Sequence, residues 1–334
     1  MQQLGRLNLI VGTNNSGKTS ILEALQLLFF LPTNPAALGE IVIGRSEYTN
    51  EDGVTRLAIR HLFFNHKVEE NMRITIIGKD QFDKYIATYI VSEPTGLSVI
   101  HQDQSENKSE LIFGASLPIY PDGIVVIDSQ AKTNWEQSYS NLLSKNQFVN
   151  SASLTAEKMI ELFERIVITP EEDLVIEALQ IIESRIKRIA SVSSGKYRYE
   201  GGRSGFIMQL ADENQRIPIG NMGDGMWRML GLALAIVNAK DGVLLVDEID
   251  TGLHFTVMSD MWKMLWETAK RLNVQIFATT HSNDCWTSLA DIANAENPSE
   301  DGITIHRIEK GKPNSIVFTE RQIAIAAERH IEVR

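Results

Sequence analysis

The chain has 334 residues, 43% of them hydrophobic, enough for one large or two ordinary domains with a real core. A net charge of −11 argues against a protein that coats duplex nucleic acid as a whole, and a single cysteine, Cys285, excludes an internal disulfide and a cysteine-built zinc site. No apolar run reaches transmembrane length and the N-terminus lacks the basic-then-apolar order of a signal peptide, so the expectation is a soluble, cytoplasmic protein with no membrane partner.

In chain order, Leu7-Asn8-Leu9-Ile10-Val11 reads as a short buried strand and Ser20 to Phe30 as a helix stopped by Pro32 and Pro35. Between them lies Gly12-Thr13-Asn14-Asn15-Ser16-Gly17-Lys18-Thr19, a full match to G-x-x-x-x-G-K-[ST]. The glycines let backbone N–H groups turn inward, and the helix N-terminus adds unpaired donors and the positive end of its dipole. Asn14, Asn15, Ser16, Gly17 and Ser20 are thereby candidate phosphate contacts. Lys18 can reach the β- and γ-phosphates, and the Thr19 hydroxyl can ligate Mg²⁺. A nucleoside triphosphate is the implied ligand.

From Ala36 to Gln130 strand-like runs (57–64, 72–77, 85–91, 123–127) alternate with turns, as in an added antiparallel sheet, and His101 to Glu110 reads as an exposed loop. Residues 132–202 read as helical. Thr169-Pro170-Glu171-Glu172 opens a helix expected to continue through Ile182, Ile186 and Ile189. Ser191 to Arg203, with Lys196, Tyr197, Arg198, Tyr199 and Arg203, can be a solvated loop or a grip on nucleic acid, and the acidic whole favours the loop.

Phe206 to Ile219 reads as a hairpin turning at Asp212-Glu213-Asn214. Strand and helix patterns then alternate: a helix over 225–239, a strand over 243–246, a helix over 255–272, a strand over 274–280. That alternation implies a parallel sheet covered by helices. One more strand pair (303–308, 315–318) and a short helix close the chain.

Three further stretches carry chemistry. Gly242-Val243-Leu244-Leu245-Val246-Asp247-Glu248 delivers two acids to the ligand edge of a parallel sheet, where Asp247 can hold the Mg²⁺ shell and Glu248 can polarise the attacking water. Thr279-Thr280-His281-Ser282 places His281 past the next strand, within reach of γ-phosphate or water. Gly223, Asp224 and Gly225 open a helix and offer a second anion-accepting surface, suited to action in trans. Cys285 reads as a semi-buried thiol.

These stretches in this order resemble the ABC-type ATPase heads of the SMC, RecF and overcoming-lysogenisation-defect (OLD) clade. The Gly223-Asp224-Gly225 opening and Gly252-Leu253-His254 look most like OLD-like AAA ATPases of bacterial defence systems, including Septu-like and retron ATPases. The resemblance is close over residues 5–31 and 217–290. It implies an α/β P-loop head (1–130 and 204–334) with an added antiparallel sheet and a helical insertion (131–203). It also implies a homodimer or higher even oligomer sandwiching Mg·ATP, with hydrolysis to ADP and phosphate. Gly223 replaces the family's signature serine, so the trans contact rests on backbone donors. The glutamine that meets Mg²⁺ and water in the family has no clear counterpart, Asn65 and Gln81 fitting poorly, and the short lead into the first strand leaves ATP against GTP open.

OLD nucleases continue into a Toprim domain that needs an Asp-x-Asp pair, and this chain has none. A destructive activity is therefore expected on a separately encoded effector, a nuclease of Toprim or HNH type, with nucleic acid contacted indirectly. Competing expectations are a DNA-repair or chromosome-maintenance ATPase, a transporter subunit, and a scaffold that binds ATP without hydrolysing it. Glu248 argues against the last.

Overall fold

The strand that enters the phosphate loop is enclosed along its whole length. In a computed structural model, which describes residues 1–34, 37–51, 54–79, 84–93, 96–104, 108–117, 124–127, 145–192, 205–211, 215–295 and 302–334, β1 (Leu7–Val11) is buried at every position. It pairs in parallel with β14 (Gln275–Thr279) on one side and β15 (Ile303–Arg307) on the other. The sheet continues through β13 (Val243–Val246) to β9 (Gln147–Val149), and β16 (Ile316–Thr319) adds an antiparallel edge. A strand paired on both sides and covered on both faces must be apolar throughout. The exception, Asn8, is fully satisfied: its amide bridges Gly5, Thr304 and the carbonyl of Ile276 at 2.8–3.0 Å.

The chain divides into two compact units, residues 1–22 with 145–334, and residues 23–144. The first holds the six-stranded sheet and its helices: α3 (Ala156–Glu164), α4 (Pro170–Gln180), α5 (Gly223–Asn238), α6 (Met258–Leu272), α7 (Asn283–Ala295) and α8 (Glu320–Glu328). On α6, Met261, Trp262, Leu265, Trp266, Ala269 and Leu272 are buried at helical spacing. Lys270 and Arg271 occupy its last turn, and a left-handed Asn273 ends it. A small antiparallel sheet, β10 (Ile186–Ser191), β11 (Phe206–Leu210) and β12 (Arg216–Pro218), completes this unit.

The second unit contains a three-stranded sheet of β2 (Tyr48–Glu51), β3 (Val54–Leu57) and β8 (Val125–Ile127), and a four-stranded meander of β4 (Arg73–Lys79), β5 (Tyr85–Glu93), β6 (Gly96–Asp103) and β7 (Lys108–Leu117). It also holds α2 (Ala37–Gly44). The helix leaving the phosphate loop, α1 (Lys18–Phe30), carries the chain from one unit into the other.

The α/β class and the added antiparallel strands are as expected, but four elements differ. The run 57–64, expected as a strand, is strand only as far as Leu57 and continues as two 3-10 turns, Ile59–Leu62 and Phe64–His66. The helix opened by Thr169 does begin there, with the threonine side chain accepting from Glu171 N–H, yet it stops at Gln180, and Ile186–Ser191 is a strand. Strand β9 lies inside the stretch expected to be helical and joins the central sheet. Residues 101–103 and 108–110, expected in a loop, are paired strand. Residues 193–204, with the basic and aromatic side chains between Lys196 and Arg203, lie outside the described residues, as do Asp212, Glu213 and Asn214 and the poorly fitting Gln81. Among the described residues no helix is long and apolar enough to cross a membrane.

Candidate functional site

The loop between β1 and α1 has the backbone of an anion cradle. Gly12 holds φ 149 so close to Ile308 that a Cβ would meet its carbonyl oxygen at 2.5 Å. Gly17 at φ 100 faces open space, with no atom within 4 Å of a Cβ built there. Asn15 is left-handed at φ 60, a conformation that asparagine tolerates better than most residues. Asn14 and Ser20 are exposed on the rim. The Ser16 hydroxyl is buried with no hydrogen-bond partner. An orphaned donor beside an open glycine turn fits a phosphate, which would supply its acceptor.

Lys18 is 4% exposed, and its ammonium donates to the carbonyls of Gly12 and Thr13, both at 2.9 Å. Burial pushes its pKa below the ordinary lysine value, and the charges of Asp247 and Glu248 oppose that fall. The Thr19 hydroxyl faces both carboxylate oxygens of Asp247 at 3.4 and 3.5 Å. Oxygen donors on facing elements suit a hard divalent cation, so Thr19 and Asp247 are the pair that can hold Mg²⁺.

Strand β13 ends by presenting Asp247 and Glu248 beside the end of β14. Thr279 links them: its hydroxyl donates to Asp247 Oδ1 at 2.6 Å and accepts from the Glu248 N–H at 2.8 Å. The Glu248 backbone is left-handed at φ 46. Its carboxylate lies 3.4 Å from His281 Nε2 and 3.4 Å from the Thr251 hydroxyl, and both acid and histidine stay about two-fifths exposed. Next to them, Thr280 donates to Asp250 Oδ1 at 2.6 Å while accepting from the Ser282 N–H, which fixes the turn carrying His281.

Gly223, Asp224 and Gly225 form the first turn of α5. Gly223 stands at φ 85 with nothing within 4 Å of a Cβ, and no side chain caps the helix. Gly223 and Asp224 are exposed, and Gly225 packs against Gly252 and Leu253. The start of α5 is therefore an exposed glycine turn with no side-chain cap from Met222.

The structure thus brings Lys18, Thr19, Asp247, Glu248 and His281 to one edge of the sheet, as their order in the sequence implied. Cys285 differs from expectation: it is fully buried, and burial pushes its thiol pKa far up, so it packs as an apolar residue. Sequence reasoning missed Thr279, whose signal was a hydroxyl on the last residue of a buried strand, and Arg228, a lone charge inside an apolar helix.

A P-loop at the centre of a mostly parallel sheet, with an Asp-Glu pair delivered by the second strand over, defines an α/β nucleotide-hydrolase head. The chain belongs to the AAA ATPase domain family, whose model matches residues 2–285, and it is an ATPase. A Helicobacter pylori protein named ATP/GTP phosphatase is 24% identical over 304 residues, covering 84% of this chain and 80% of its own. Among solved structures, an Smc head bound to the C-winged helix domain of ScpA shares the fold, with a TM-score of 0.53 and 14% identity over 94% of this chain and 90% of that one. An SMC head from Thermotoga maritima gives 0.44 at 11% identity over 94% and 90%.

Proposed function

We propose that this ATPase is a switch head of the OLD-like kind: two copies close face to face around Mg·ATP, and the closed form governs a separately encoded effector, a nuclease, in anti-phage defence. The observation that carries the catalytic part is the single constellation of Lys18, Thr19, Asp247, Glu248 and His281. The Ser16 hydroxyl and the loop N–H groups from Asn14 to Ser20 receive the phosphates. Lys18, held by two loop carbonyls, is placed to exchange them for phosphate oxygens. Mg²⁺, held by Thr19 and Asp247, would neutralise phosphate charge. Glu248 takes the proton of the attacking water, the bond from the terminal phosphorus to its bridging oxygen breaks, and ADP and phosphate leave. His281 orients the Glu248 carboxylate and meets the terminal phosphate.

The exposed glycine turn at Gly223–Gly225, at the N-terminus of α5, supports the trans contact: a helix start of this kind favours an anion, which a second copy would bring. Glu248→Gln is the test. With Mg·ATP it should trap nucleotide and shift to dimer on sizing, and a variant that stays monomeric with ATP bound would refute the sandwich. Co-purification of a nuclease with the tagged chain tests the effector, and its absence under ATP-trapping conditions removes that part.

The likeness to an SMC head favours a second reading, a chromosome-maintenance ATPase that clamps DNA. It requires salt-sensitive DNA binding by the ATP-bound dimer, against a net charge of −11. Because the Helicobacter pylori relative's name carries both nucleotides, GTP turnover belongs in the same assay.

A further inference from the structure

One charge lies inside the helix that begins with the glycine turn. Residues 226–237 of α5 are all buried, and Arg228 among them is 2% exposed. Burial lowers the guanidinium pKa to about 10, against the pull of Asp250, Asp247 and Glu248. Its hydrogen bonds run to main-chain carbonyls: Nη1 donates to Asn150 O at 2.8 Å, and Nη2 to Glu248 O at 3.1 Å and Asp247 O at 3.3 Å. The Nε group is buried without a partner. An arginine kept inside a helix core at that cost, with one donor unused, is there for what the other donors hold.

What they hold is a strained residue. Glu248 has φ 46, a region that a non-glycine residue keeps only where its surroundings impose it. Three partners fix its main chain: Thr279 on its N–H, and the Arg228 guanidinium together with the Thr251 N–H on its carbonyl. Thr279 belongs to the neighbouring strand. Arg228 belongs to α5, within two turns of Gly223.

We propose that Arg228 is a positioning residue that locks Glu248 in its left-handed backbone and joins the catalytic acid to the helix opened by Gly223–Gly225. The proposal rests on Glu248 being the base of the reaction. A short rigid segment carries both the turn and Arg228, so an anion seated on the turn and the carboxylate that activates water respond to the same displacement. The acid is then competent only when α5 is in place.

The test is Arg228→Lys in the full chain, alone and combined with Glu248→Gln. ATP turnover is expressed per nucleotide-binding site, the sites being counted with a fluorescent ATP analogue, so that unfolded molecules do not enter the rate. Alone, the substitution should lower kcat at least tenfold with KM for ATP changed less than twofold. In the Glu248→Gln background the same substitution should change the residual rate less than twofold, because the group it positions is already gone. An equal loss in both backgrounds, an unchanged kcat, or a variant that binds no nucleotide would each overturn the proposal, the last by showing that the arginine serves the fold alone. If Glu248→Gln by itself keeps wild-type turnover, the assignment of the base has failed instead, and the two failures are told apart.

Discussion

Replacing Thr279 by valine keeps the outline of a side chain that is 1% exposed and deletes one hydroxyl with two duties. The hydroxyl donates to the Asp247 carboxylate at 2.6 Å, and a hydrogen bond to a charged group contributes about 1.5–3 kcal/mol. It also accepts from the Glu248 N–H at 2.8 Å, and an N–H left unpaired in a part-buried place costs about 1–3 kcal/mol. The added methyl group recovers about 1 kcal/mol by burial, leaving a net loss of about 3 kcal/mol. For a unit of about 200 residues that corresponds to a melting temperature lower by about 6–12 °C. Turnover should fall about 10- to 100-fold, because both Asp247 and the Glu248 backbone lose a fixed partner. Differential scanning fluorimetry and a phosphate-release assay read the two effects, and Thr279→Ser should restore most of each. A valine protein with the wild-type melting temperature and wild-type kcat would show that the bridge between the two acids supports neither the fold nor the reaction.

Other perturbations address different parts of the molecule. Lys18→Ala removes the one ammonium in the phosphate cradle and should weaken ATP binding at least 100-fold in a fluorescent-nucleotide titration, with the melting temperature of the nucleotide-free protein nearly unchanged. His306 sits fully buried in β15 between the hydroxyls of Thr304 and Ser315, and burial lowers its pKa to about 4. Its folded form therefore prefers the neutral ring. The associated stability is complete above the ordinary histidine value near 6.5 and declines as pH falls through that value towards 4, by about 3 kcal/mol in all. His306→Gln should flatten the difference in urea midpoint between pH 7 and pH 4.5, and a variant with the parent's pH slope would refute the assignment.

The parts of the site legible in the sequence were those whose chemistry needs fixed spacing within one turn: the loop from Gly12 to Thr19, the acids at the end of β13 and the histidine after β14. The misread parts have identifiable physical causes. Ile186 and Ile189 are three apart and share a buried face, which is helical spacing, but a register shift between Ile186 and Arg188 produces the same spacing in β10. Strand β9 is three residues long, too short for any period to declare itself. The polar residues at the facing ends of β6 and β7 are paired through their backbones, a pairing that side-chain polarity does not reveal. Arg228 was invisible because a charge in an apolar helix carries no sign of the carbonyls it will meet across the sheet.

The central placement of β1 also dictates an order of events during synthesis. Leu7 pairs with Ile276 and Ile303, so β1 leaves the ribosome without either of its neighbours until some 270 further residues have followed. At about 5–20 residues per second that interval is roughly 13–55 s. For that time a run of Leu, Ile and Val with both edges bare stays unmatched, and the nascent protein depends on chaperones or on transient burial elsewhere to keep it from the wrong edge.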